Sequence, residues 1–156
     1  MEHATFMKIA IQEASDGMRS GDGGPFGAVI VRDGRILGRG HNSVLSKSDP
    51  TAHAEINAIR NACQQIEDHH LTGAIIYTNF EPCPMCLAAI YWADIRKLYY
   101  CASRITAEKA GFMDNWLYRE IGLPDDEREI EFKRMEHGDM NKLLDEWEDM
   151  QGKILY

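Results

Sequence analysis

The stretch AIIYTNFEPCPMCLAAIYWADIRKLYYC, Ala74 to Cys101, decides the fold. It opens on an apolar run, Ala74 to Thr78, with the residue types of a strand. Pro82 to Trp92 reads as a helix whose two prolines, Pro82 and Pro84, suit a helix start. Lys97 to Cys101 then reads as a second strand. Strand, helix and strand in direct succession form a crossover unit, which sets its two strands parallel.

Upstream, Phe26 to Val31 and Arg35 to Gly40 flank Asp33-Gly34, a strong signal for a tight antiparallel hairpin. A hairpin joined to a crossover predicts a mixed sheet covered by helices, an α/β fold. Helical spacing predicts a first helix from Thr5 to Arg19, with Thr5 as cap and Gly21 as stop. The polar stretch His41 to Thr51 reads as a loop feeding a helix from Ala52 to Ile66. Beyond Arg104, Gly111, Gly122 and Pro124 punctuate an irregular segment. Glu129 to Met135 alternates like an edge strand, and Asn141 to Met150 has the pattern of a last amphipathic helix.

The 156 residues, 44% of them hydrophobic, are enough for one domain over residues 1–156. No apolar run approaches the roughly 20 residues of a membrane helix. The first residues, Met1 to Ala4, lack the basic start of a secretion signal. The expectation is a cytoplasmic protein without membrane contact. A net charge of −8, from 25 acidic and 17 basic residues with no basic run, argues against a nucleic-acid partner. In such a compartment Cys63, Cys83, Cys86 and Cys101 are expected as thiols, and close pairs among them favour metal chemistry over disulfides.

Cys83 and Cys86 are three apart at a helix start, so both sulfurs can close on one ion, and the positive helix end favours their thiolate forms. Alone the pair is ambiguous between redox, structural and catalytic roles. His53 adds a neutral nitrogen ligand, and Glu55, two residues on, can approach a metal-held water without ligating the ion. Three protein ligands leave the open fourth position of a catalytic zinc, one per chain. The combination His-x-Glu and Pro-Cys-x-x-Cys, here His53-Ala54-Glu55 and Pro82-Cys83-Pro84-Met85-Cys86, is the signature of zinc nucleobase deaminases. Zinc lowers the pKa of bound water to about 7. Glu55 is then expected to accept the water proton, protonate the ring nitrogen and carry a proton to departing ammonia.

At His53-Ala54-Glu55-Ile56 and Glu81-Pro82-Cys83-Pro84-Met85-Cys86 the chain resembles the cytidine and deoxycytidylate deaminase superfamily. Gly23 to Val31, Asp49 to Glu55, Ala89 to Ala93, Ala110-Gly111-Phe112 and Tyr156 narrow the resemblance to the small bacterial guanine deaminases. It runs through nearly the whole chain and is faintest from Asp125 to Met150. What it implies is a three-layer helix-sheet-helix sandwich around a five-stranded mixed sheet, and conversion of guanine to xanthine and ammonia.

Carried over, Asn42 and the residue at Ala54 would bind the base, Phe26 and Trp92 would wall the pocket, and Asp114 would hold a polar ring edge and assist proton transfer. Tyr156 would close the site. The resemblance also implies a homodimer with an exchanged C-terminal segment, in which Asp114 and Tyr156 serve the partner's site. Guanosine, or adenosine in tRNA, is the alternative substrate. Outside enzymes, the alternative is an interaction protein whose zinc is structural, with His41 or Cys101 as fourth ligand.

Overall fold

The central strand β1 (Gly27–Arg32) has the near-continuous apolar run GAVIVR and is buried on both faces. A strand of this kind needs a cover on each side. Ala28 and Ile30 point to one side, where they pack with Ala54, Ala58, Ala62 and Ile90. Val29 and Val31 point to the other, where they meet Phe6, Ala10 and Tyr77. The alternation of side chains along one strand thus builds two cores and three layers.

The structure, a computed structural model, describes residues 2 to 155 and falls into two units, Met1–Ile121 and Gly122–Tyr156. In the first, α1 (Glu2–Arg19) covers one face of the sheet. It starts three residues before the expected cap, so Thr5 lies within the helix. β1 and β2 (Arg35–His41) form the expected hairpin. Asp33 (φ 51°) and Gly34 (φ 74°) both take positive φ, as a two-residue turn matched to strand twist requires.

The loop after β2 holds a short helix, α2 (Val44–Lys47), which polar composition alone did not reveal. Then come α3 (Ala54–Ile66), β3 (Ile75–Phe80), α4 (Pro84–Trp92) and β4 (Lys97–Ala102). The sheet order is β2-β1-β3-β4, with β1 antiparallel to β2 and β3, and β4 parallel to β3. The mixed sheet agrees with the sequence. The number of strands does not: there are four among the described residues rather than five, because 129–135 is a bend followed by irregular chain and pairs with no strand. Two further helices, α5 (Arg104–Lys109) and α6 (Asp114–Ile121), occupy the stretch expected to be irregular.

The second unit contains a 3₁₀ turn (Asp125–Glu127) and the helix α7 (Gly138–Asp149). Its apolar residues Ile130, Phe132, Met135, Leu143, Leu144 and Trp147 are all exposed. Among the described residues no helix is long and apolar enough to cross a membrane.

α3 lies on β2 at backbone contact. A Cβ built on Gly38 would stand 2.4 Å from the Ala58 carbonyl oxygen, and one on Gly40 2.4 Å from that of Ala54. The facing residues Ala54, Ala58 and Ala62 are small for the same reason. Gly38→Ala should therefore destabilise the fold by about 1–3 kcal/mol through overpacking. Urea unfolding checks this, and an unchanged midpoint would contradict the close approach.

Candidate metal centre and substrate cavity

β2 and β3 both run antiparallel to β1, so their carboxyl ends, His41 and Phe80, lie at one edge of the sheet. Open α/β sheets bind ligands outside such an edge. α3 and α4 both begin there. His53 is the N-cap of α3 and Cys83 the N-cap of α4, each in extended conformation, with Cys86 in the first turn of α4.

The three side chains converge. Cys83 Sγ is 3.6 Å and Cys86 Sγ 3.5 Å from His53 Nδ1, and all three ligand atoms lie within 4.8 Å of one another. Tetrahedral zinc with its usual bond lengths to sulfur and nitrogen needs ligand separations of about 3.5–3.8 Å. The donor set and its sulfur–nitrogen separations therefore fit zinc. Neither proposed fourth ligand joins it. His41 Nε2 lies 2.9 Å from Asp22 Oδ2, and Cys101 is an exposed residue of β4. A second group, Asp68, His69 and His70, could also approach an ion, but it follows the C-terminal end of α3 and Asp68 and His69 are exposed.

The electrostatics suit the same role. The hydrogen bond with Cys86, followed by that with His53, brings the Cys83 thiol down to about 4. The shared hydrogen bond with Cys83, together with burial and the nearby Glu55, pushes the Cys86 thiol upward. His53 is raised, chiefly by its hydrogen bond with Cys83. Burial lifts the Glu55 carboxyl to about 7. Glu55 is only 6% exposed, and its Oε2 accepts from Cys86 Sγ at 3.4 Å. A carboxyl that titrates near neutrality is matched to moving protons.

In front of this group opens a cavity of about 480 Å³ lined by Phe26, Asn42, His53, Glu55, Cys83 and Asp114, among others. Asn42 is buried and its Oδ1 accepts from Val44 N–H at 3.2 Å. Gly23 lies directly against that amide, and a Cβ there would come within 2.0 Å of Oδ1. Phe26 meets Phe112 edge-on at 4.6 Å and Phe80 at 5.0 Å. Asn79 holds the chain beneath Phe26, accepting from Gly27 N–H and donating to the Pro25 carbonyl.

Asp114 opens α6, and burial raises its carboxyl, followed by repulsion from Cys83. It lines the cavity of its own chain. α6 is held against the start of α4 by Tyr118 Oη donating to the Pro82 carbonyl at 2.7 Å.

Two expected residues are not among those that line the cavity. Ala54 is 1% exposed, with its side chain in the core under α3. Trp92 is 68% exposed at the far end of α4, about 13 Å along the chain axis from Cys83 at helical rise. Tyr156 lies outside the described residues. Gly23, Glu81 and Phe112 also line the cavity; each belongs to a segment that carries the family resemblance, but residue-type reasoning gave none of them a role. Glu81 Oε2 accepts from Arg104 N–H at 2.9 Å and so ties the start of α5 to the rim.

Fold and site together define a zinc-dependent deaminase, a hydrolase. The sequence model describing the cytidine and deoxycytidylate deaminase zinc-binding region matches residues 1–102. Guanine deaminase of Bacillus subtilis (strain 168) is 45% identical over 156 residues, covering 100% of both chains. A crystal structure of guanine deaminase from the same species superposes with a TM-score of 0.95 over 100% of this chain and 99% of that one, at 45% identity. The tRNA-specific adenosine deaminase of Agrobacterium fabrum is 49% identical over 102 residues, which is 65% of this chain and 66% of that protein. The chain belongs to the cytidine and deoxycytidylate deaminase zinc-binding family.

Metal analysis should find one zinc per wild-type chain, little or none in Cys83→Ser and His53→Ala, and full content in Cys101→Ser. Retention of a full equivalent by Cys83→Ser would rule this centre out.

Proposed function

We propose that the chain deaminates guanine hydrolytically to xanthine and ammonia, with Glu55 and Asp114 handling protons. The observation that carries this reading is the convergence, in one cavity, of a three-ligand zinc set, a buried carboxyl near neutrality, an amide and a second carboxylate. The full-length likeness to a guanine deaminase supports the choice of base.

When bound, zinc supplies a water acidified towards neutral pH, the nucleophile that hydrolytic deamination needs. Glu55 takes a proton from that water and delivers it to the ring nitrogen beside the amino-bearing carbon. Glu55 then carries the proton of the newly added hydroxyl to the amino group, whose carbon–nitrogen bond breaks to release ammonia and leave a carbonyl. Asn42, whose Oδ1 is held by Val44, has its amide nitrogen available as a donor to the base's carbonyl edge. Phe26, with Phe112 edge-on against it, provides an apolar wall for a flat ring. Asp114, when ionised, accepts the paired N–H donors that guanine presents and that adenine and cytosine lack. Its raised carboxyl also suits it to share a proton.

The second unit is too small to bury an apolar core of its own, and its exposed Phe132, Leu143 and Trp147 favour a homodimer with an exchanged C-terminal segment. In that arrangement Trp92 and Tyr156 act at a partner's cavity, and residues 1–156 work as one domain. Mixing Glu55→Gln chains with chains lacking Tyr156, each inactive alone, should restore activity through mixed dimers; no recovery after dissociation and reassembly would refute exchange. The free thiols of Cys63, Cys83, Cys86 and Cys101 suit a cytoplasmic setting, and guanine as substrate would place the reaction in purine metabolism.

The tRNA deaminase likeness makes adenosine in tRNA the second reading, but the A. fabrum enzyme's match covers 65% of the chain. Ammonia release should be seen with guanine and not with adenine, cytosine or tRNA, and activity on guanosine in place of guanine would overturn the substrate. Glu55→Gln should retain zinc and lose at least about 10²-fold in kcat.

A further inference from the structure

The catalytic and recognition groups sit on different elements. His53 and Glu55 belong to the start of α3, whereas Asn42 belongs to the loop that leaves β2 and returns to α3 as Ala52-His53. A buried side chain joins them. Asn57, one turn into α3, is 8% exposed, and its Nδ2 donates to the His41 carbonyl at 2.9 Å, to Ser43 Oγ at 2.9 Å and to the Ala52 carbonyl at 3.3 Å. His41 and Ser43 flank Asn42 on the entry strand of the loop, and Ala52 precedes the metal ligand on its exit. Ser43 N–H donates to the Ala52 carbonyl at 2.9 Å and closes the same neck. Asn57 N–H in turn donates to the His53 carbonyl at 3.0 Å.

We propose that Asn57 is a positioning residue that fixes the base-recognition amide of Asn42 at a set distance from the zinc and Glu55. It touches neither ion nor base. One amide spans both ends of the loop, so a shift of Asn42 relative to His53 must break a buried hydrogen bond, which leaves an unsatisfied group behind. Gly40 makes the placement possible, because a Cβ there would come within 2.9 Å of Asn57 Cβ. Asn42 N–H also donates to the Phe26 carbonyl at 3.0 Å, and the Asp22 carbonyl accepts Leu45 N–H at 3.0 Å and Ser46 N–H at 3.1 Å and steadies the outer part of the loop.

The inference rests on guanine as substrate for its kinetic readout, and hydrogen exchange supplies a readout that does not. In the zinc-loaded protein, Asn57→Asp keeps the volume but replaces the donor with a carboxylate oxygen, an acceptor set against the His41 and Ala52 carbonyls, whereas Asn57→Ala removes the group. Both should keep one zinc per chain. KM for guanine should rise about tenfold or more, with kcat reduced far less, and Asn57→Asp should be affected at least as strongly as Asn57→Ala. Amides 42–46 should exchange faster in both.

Ser43→Ala should raise KM about threefold in the wild-type background and add nothing to Asn57→Ala, as residues of one network do. A role in filling space alone would leave Asn57→Asp near wild type and make Asn57→Ala the worse variant, and that result, or additive Ser43 and Asn57 effects, overturns the proposal. Parallel loss of zinc, folding and kcat also overturns it. If the wild type releases no ammonia from guanine, the functional reading fails, while faster exchange confined to 42–46 still upholds the clamp.

Discussion

The close approach of α3 to β2 is the constraint on which the rest of the molecule depends. With Gly38 and Gly40 on the strand and Ala54, Ala58 and Ala62 on the helix, backbone meets backbone. The helix start is thereby brought down to the carboxyl edge of the sheet, where the β3–α4 turn delivers Cys83 and Cys86. A bulkier strand would lift α3, and His53 would lose the 3.5 and 3.6 Å separations that match a tetrahedral ion. The metal centre is in this sense a product of small residues that carry no chemistry themselves.

Bringing two helix starts together also concentrates opposing electrostatic effects in a small volume. Helix amino ends favour thiolate, which suits Cys83. Burial disfavours charge, which lifts Glu55 to about 7. A carboxyl with an ordinary pKa would hold no proton at neutral pH, and one buried without polar neighbours would not release it. Glu55 escapes both outcomes because its burial is offset by hydrogen bonds, including that of Cys86.

Much of this was legible in the sequence because it is local. Asp33-Gly34 specifies its turn by φ alone, and the Cys83–Cys86 spacing specifies one helix face. The three layers follow from a strand apolar on both sides. What the sequence left open depends on distant partners. The helix α2 lies in a polar loop whose order comes from the Asp22 carbonyl and from Asn57, neither nearby in the chain. Glu129 to Met135 has the alternation of a strand, but a strand needs a neighbour, and none pairs with it among the described residues. Asp114 was found through resemblance alone, since its place at the cavity rests on tertiary contacts of α6 such as Tyr118 with Pro82.

The boundary of the family match bears on how one metal centre serves several bases. The zinc-binding model ends at residue 102, after β4, with all three ligands and Glu55 inside it. Phe112 and Asp114 lie beyond, on the α5–α6 segment that caps the cavity. Water activation and proton transfer demand the same geometry whatever ring is attacked, so those parts can be held constant. The outer ring edge differs between bases, and the groups facing it must differ too. Placing them on a segment that folds back after the sheet is complete lets their chemistry change without disturbing the register of β2, β3 and the two helix starts. Asn42, the amide proposed to read the base, sits instead inside the shared module, and it is there that Asn57 is proposed to keep recognition and catalysis in step.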